Sequence, residues 1–187
     1  MKKFPLLLFI LTLASCGSSK VASDKYVIDN LAGLTSEELK QNFPDANIRE
    51  DTGMFEEGTV ERAFTILYPE TPDELQVTWE DETRTRIHDL YFAGNGRWKS
   101  KEGIGVGTSY DQLNMLNGKA VSFYGFGWDY SGAVVWNEGK LENSKLRVFL
   151  GSETEADNKY MGDHLIEASP AEIAAMGLKV EAVILQN

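Results

Sequence analysis

The sequence predicts an α+β fold in which short helices pack on an antiparallel sheet, and three observations lead there. Three capping boxes mark short helices, the runs between them alternate with a period of two, and a lone cysteine leaves the fold to rest on a core rather than on disulfides. Composition permits such a core, with 42% apolar residues that include nine Phe, seven Tyr and four Trp.

The elements follow in order. Thr35-Ser36-Glu37-Glu38 sets a Thr at an N-cap with Glu three residues later, and Leu39 and Phe43 form the apolar stripe before Pro44 stops the helix. Phe64, Ile66 and Tyr68 then alternate with their neighbours, as do Leu75, Val77 and Trp79, and a third run covers Arg86 to Phe92. Pro69 to Asp73 and Glu80 to Glu82 read as the turns of an antiparallel meander. A second capping box, Ser109-Tyr110-Asp111-Gln112, opens a helix with Leu113 and Leu116 inside and Gly118 as its stop. Three further runs cover 120–126, 132–137 and 145–150, separated by Gly and Asn turns. Ser169-Pro170-Ala171-Glu172 starts the third helix with Pro at its first position, Gly177 ends it, and a last strand covers Lys179 to Leu185.

GLTSEEL and GTSYDQL place Thr35 and Thr108 73 residues apart, each ahead of a similar order of elements. The expectation is one domain over 26–187 made of two degenerate helix-plus-three-strand halves, at about 26–98 and 104–187. In layout this order resembles the helix-on-antiparallel-sheet modules of the beta-lactamase inhibitory protein family and of the small lipoprotein of the outer-membrane barrel-assembly machinery. The resemblance implies a fold and no function.

The first residues give an address. Lys2 and Lys3 precede the apolar stretch Phe4 to Leu13, which as a helix at about 1.5 Å per residue covers only about half of a hydrocarbon core. It reads as an export signal over 1–15. Leu13-Ala14-Ser15-Cys16 resembles the lipobox of bacterial lipoproteins. The resemblance implies cleavage before Cys16, a thioether-linked diacylglycerol on its sulfur, an N-acyl chain such as palmitate, and residence in the cell envelope at the outer membrane. Residues 16–25, CGSSKVASDK, are then a lipidated polar tether. Loss of Lys2 and Lys3 and of no acid takes the net charge from −11 to −13. Such a chain repels nucleic acid and anionic lipid, so acyl chains rather than basic residues would hold it at a membrane.

Several short motifs invite a chemistry that their contexts do not support. Gly103-Ile104-Gly105-Val106-Gly107-Thr108 has Thr where a dinucleotide fingerprint needs its third glycine, and Trp98 to Glu102 before it is no apolar strand; a flexible joint ending in a helix cap is the expectation. Asp51-Thr52-Gly53 matches the triplet of aspartic proteases but has no second copy, and it reads as a turn. GxSxG is absent. His88 and His164 show no HxH or HExxH spacing; His88 is expected on a sheet surface beside Asp89. The acidic loop with Glu153, Glu155, Asp157 and Asp163 lacks the glycine and glutamate positions of an EF-hand and reads as solvated. No metal and no cofactor is expected.

The densest unusual segment runs from Phe123 to Gly132, FYGFGWDYSG, followed by Trp136. Glycines in a strand allow bulges and close backbone approach, while rings there serve either as core or as contact faces. Tyr124, Trp128, Tyr130 and Trp136 are the candidate binding residues, with Trp128 and Tyr130 beside the turn the hardest to bury. The functional expectation is a non-catalytic, membrane-anchored envelope lipoprotein that binds a protein partner, or a glycan by the same ring faces. The alternatives are a hydrolase of envelope polymers using a carboxylate pair drawn from sites such as Glu80, Asp81, Asp89, Asp129 and Glu138, and a purely structural lipoprotein.

Overall fold

The computed structural model describes residues 25–154 and 157–187. The export segment, Cys16, all but the last residue of the tether, and Glu155 lie outside the described residues. No described helix is long and apolar enough to cross a membrane.

Three short helices form where the capping boxes set them: α1 (Ser36–Asn42), α2 (Tyr110–Asn117) and α3 (Pro170–Met176). In each, the N-cap hydroxyl accepts from the backbone of the fourth box residue, whose side chain returns to the cap amide; Thr35 N donates to Glu38 Oε2 at 2.8 Å, and Ser109 N to Gln112 Oε1 at 3.0 Å. Such a cap contributes about 1 kcal/mol, a large share for helices of two turns that gain little from propagation. Gly118 and Gly177 take the left-handed C-cap conformation at φ +72° and +60°.

The strands are β1 (Arg49–Phe55), β2 (Val60–Leu67), β3 (Leu75–Trp79), β4 (Ile87–Phe92), β5 (Ser122–Phe123), β6 (Val134–Val135), β7 (Leu146–Gly151) and β8 (Lys179–Gln186). Six form one antiparallel sheet in the order β1-β2-β3-β4-β8-β7, and β5 pairs with β6. The fold is thus α+β, short helices with an antiparallel sheet. Because β8 inserts between β4 and β7, strands from both expected halves share one hydrogen-bonded sheet.

The halves differ from a helix followed by three strands. α1 is followed by four, because Asp51-Thr52-Gly53 is the middle of strand β1 and not a turn. β1 lies at the sheet edge with residues 49–52 all exposed, so no apolar alternation announces it. A Cβ on Gly53 would stand 3.1 Å from the half-buried Phe64 ring, a tight contact to which that ring would have to yield. The strands expected over 120–126 and 132–137 shrink to the two-residue β5 and β6. The Gly103–Thr108 segment is no loose joint: Gly107 N donates to Val180 O and Val180 N to Thr108 O, each at 2.8 Å, which ties α2 onto β8.

One buried cluster unites the sheet and the helices. Leu67, Leu75, Val77, Trp79, Leu90, Phe92, Val183 and Leu185 meet Leu39 of α1, Leu113 of α2 and Met176 of α3. Trp79 is fully buried, and its indole N–H donates to Thr65 Oγ1 at 2.8 Å, so the largest core ring leaves no unpaired donor. At the chain's entry, Arg97 stacks 3.9 Å from the Tyr26 ring centroid while pairing with Asp73 at 2.7 Å. Lys25, expected as the last tether residue, pairs with Asp45 at 3.4 Å.

The 157–166 loop is pinned to α3 by an ion pair between Lys159 and Glu172. The Lys159 hydrogen bond first, then the Ser169 amide and hydroxyl, pull the Glu172 carboxyl from 4.5 down to about 2. A carboxyl depressed by folding stabilises the native state above its unfolded pKa and loses that contribution as pH falls toward its folded one. The melting temperature of the wild type should therefore exceed that of Glu172→Gln at neutral pH, with the gap closing between pH 4.5 and about 2. A gap independent of pH would show that the ion pair does not couple to folding.

Candidate functional site

The aromatic segment is held by backbone contacts on two sides. On one, Tyr124 N donates to Ala133 O at 3.0 Å; on the other, Gly125 N donates to His164 O at 2.9 Å and Phe126 N to Tyr160 O at 2.8 Å. A Cβ on Gly125 would meet Gly162 O at 2.5 Å and Tyr160 O at 2.8 Å, so only glycine lets the 160–166 loop close on it. Phe123 and Phe126 turn inward and are buried, which is the core role open to rings of this segment.

Gly132 joins this hairpin to the main sheet. Its carbonyl accepts from Leu150 N at 2.9 Å, it sits at φ +69°, and a Cβ would lie 1.9 Å from Leu150 O. The contact falls where the β7–β8 register shifts between Phe149 and Leu150, the extra residue, Glu181, lying on β8. Next to it, Ala133, just before β6, bridges Phe149 of β7, and a cleft of about 620 Å³ opens beside them. That volume is within the range of small-molecule and side-chain sites.

Tyr124, Trp128, Tyr130 and Trp136 all line this cleft. Trp136 is 7% exposed and forms its inner wall, with its indole N–H directed at Leu146 O at 3.4 Å. Trp128 is half-buried; its indole N–H donates to Gly125 O at 3.1 Å, which fixes the ring across the turn. Tyr130 is 52% exposed, 5.3 Å from Trp128 between centroids with the planes at 63°. Tyr124 meets Trp128 at 6.3 Å and 62°.

The rest of the lining is not legible in the sequence. It is the edge strand β7, with Arg147 and Phe149, joined by Glu142, Ser144, Asp163 and Gln186. Arg147 could have been placed by the alternation of buried Leu146, Val148 and Leu150 around it, but its place in the same cleft as Trp128 depends on a fold contact that no local pattern encodes. Glu142 Oε2 accepts from Glu138 N at 2.9 Å. Neither Glu142, Asp163 nor Arg147 enters an ion pair among the described residues. Ser144 Oγ is buried without a hydrogen-bond partner among them.

The five carboxylates singled out from the sequence for hydrolytic work stand elsewhere. Glu80 lies 3.9 Å from Arg62, Asp81 caps Thr83, Asp89 is 2.8 Å from His88 Nδ1, and Glu138 is 3.6 Å from Lys119. Asp129 is exposed on the turn between Trp128 and Tyr130, and none of the five lines the cleft. His88 is half-buried on β4, as expected of a sheet-surface imidazole. His164 contributes its carbonyl to Gly125 and leaves its ring exposed. Among the described residues, no three His, Cys, Asp or Glu side chains are grouped to hold a metal ion.

No protein-family model matches the chain, and no curated protein sequence matches it. Among solved structures, the chain is similar to one described as the uncharacterized protein yfeY from Escherichia coli, at 14% identity over 83% of this chain and 91% of that one, with a TM-score of 0.45.

The hairpin's dependence on Gly132 is measurable against Gly103, which has φ +86° but no atom within 4 Å of an added Cβ. Gly103→Ala should cost only the backbone strain, about 1–3 kcal/mol. Gly132→Ala should cost more and change the tryptophan emission, because the Leu150 contact must open. Equal destabilisation by denaturant titration, with unchanged emission, would mean the hairpin does not rest on that contact.

Proposed function

We propose that this protein is a membrane-anchored envelope lipoprotein whose folded part is a non-catalytic binding module for a protein partner. The observation that carries the binding reading is the cleft itself, where Tyr124, Trp128 and Tyr130 stand partly or largely exposed around buried Trp136. Exposed rings lose water-contact area on association and give up little side-chain entropy, which is why aromatic anchors dominate interface energetics. The turn that carries Trp128 and Tyr130 is braced by Ser131 N to Trp128 O at 3.0 Å and by the Trp128 indole bond, so the rings are preorganised.

The anchoring part of the reading rests on Lys2-Lys3, the apolar run to Leu13 and the Leu13-Ala14-Ser15-Cys16 motif. A lipid on Cys16 would tether an acidic domain that its own charge keeps off anionic bilayers.

Affinity capture of envelope proteins on the full-length protein tests both parts. Trp128→Ala with Tyr130→Ala should remove the captured partner, a loss of about 2 kcal/mol or more, and leave the melting temperature within a few degrees of wild type. Cys16→Ala should move the protein out of the membrane fraction. Capture that survives the double substitution, or is lost only with global unfolding, contradicts the binding reading. Membrane sedimentation that survives Cys16→Ala contradicts the anchor.

A further inference from the structure

We infer that the segment recognised by this cleft is basic: a lysine or arginine side chain of the partner lies along the exposed faces of Trp128 and Tyr130 and directs its charge to Glu142 and Asp163. The inference rests on the binding reading above and specifies its partner's chemistry. Two observations support it, and a third gives it a test.

The first is the shape of the aromatic wall. Neighbouring rings meet at 62° and 63°, edge toward face, so they offer separate angled faces and no continuous flat platform. A pyranose chain is best served by a platform, whereas a long aliphatic stem with a cationic head fits against angled faces, where the negative ring faces attract the charge.

The second is the charge of the lining. Glu142 and Asp163 are exposed acids in the cleft that enter no ion pair among the described residues, and they outnumber its one cation, Arg147. They are set in a chain of net charge −11, so the surrounding field favours an approaching cation and slows an anion.

The third is the position of Arg147. It is exposed on β7, lines the same cleft and forms no ion pair among the described residues. A basic segment must be accommodated in spite of it, which gives the proposal a sign that can be read: removing this cation should help a basic ligand and hinder an acidic one.

The probes are fluorescein-labelled unstructured peptides of alternating lysine and leucine, the matched peptide with glutamate in place of lysine, and an N-acetylglucosamine oligosaccharide. Each is titrated by fluorescence anisotropy or calorimetry onto the full-length protein in detergent. The lysine peptide should bind and the glutamate peptide should not. Glu142→Gln with Asp163→Asn should weaken the lysine peptide about fivefold or more, and Arg147→Ala should tighten it by about threefold, both effects shrinking at high salt. Trp128→Ala should weaken it about tenfold. Glu142, Asp163 and Arg147 are exposed, so these variants keep the fold, and matching melting curves verify that.

Three results overturn the inference: no binding of the lysine peptide, binding indifferent to the three charges, or tightening by loss of the acids. Oligosaccharide binding without peptide binding assigns the cleft to a glycan and equally overturns it. If the lysine peptide fails while envelope capture still depends on Trp128 and Tyr130, the binding module stands and only its basic ligand falls.

Discussion

The contact between Gly132 and Leu150 is the constraint on which the site depends. At that point two backbones approach more closely than any side chain allows, with φ +69° at Gly132 beside the step in the β7–β8 register at Leu150. The hydrogen bond from Leu150 N to Gly132 O fixes where the aromatic hairpin leaves the sheet, and the cleft opens beside the bridge from Ala133 to Phe149. Gly125 performs the same service on the other side, admitting the 160–166 loop that brings Asp163 to the cleft. Two glycines thus convert a run of rings into one wall of a cavity. A side chain at either position would have to push the walls apart.

The rigid background for that contact is the six-stranded sheet. β7 is its edge strand, and such an edge exposes main-chain groups that must be covered or paired. Here the hairpin covers one end through Gly132, and the Trp136 indole reaches the Leu146 carbonyl at the other. Edge protection and site formation are accordingly one arrangement. Trp136, whose indole reaches β7, is buried, while Trp128 and Tyr130 keep exposed surface, and the acids Glu142 and Asp163 set the local charge against which any ligand is selected.

How much of this is legible in the sequence depends on the range of the interactions. Thr35 with Glu38, Ser109 with Gln112 and Ser169 with Glu172 are contacts across three residues, so all three helices can be placed from the chain alone. β7 alternates because one face meets the core, whereas β2 and β3 end in runs, Thr65 to Leu67 and Val77 to Trp79, that are buried on both faces. β1 has no such face over 49–52 and hides as an apparent turn. The aromatic wall is legible because its members lie close in sequence. Glu142, Arg147, Asp163 and Gln186 are not, since only the β7–β8 register and the glycine contacts bring them into the cleft that Trp128 lines. Rings in one segment also divide between roles, Phe123 and Phe126 to the core and Tyr130 to the surface, and composition alone does not say which goes where.

The central claim is that the open cleft between hairpin and β7 is where this protein meets another. Photo-crosslinking in living cells tests it most directly, with a benzophenone amino acid placed at Tyr130 or, as a comparison, at Met115, which is 71% exposed on α2 and lies outside the cleft. The account predicts a discrete protein adduct from position 130 and none from position 115. No adduct at 130, or the same adduct from both positions, would contradict it.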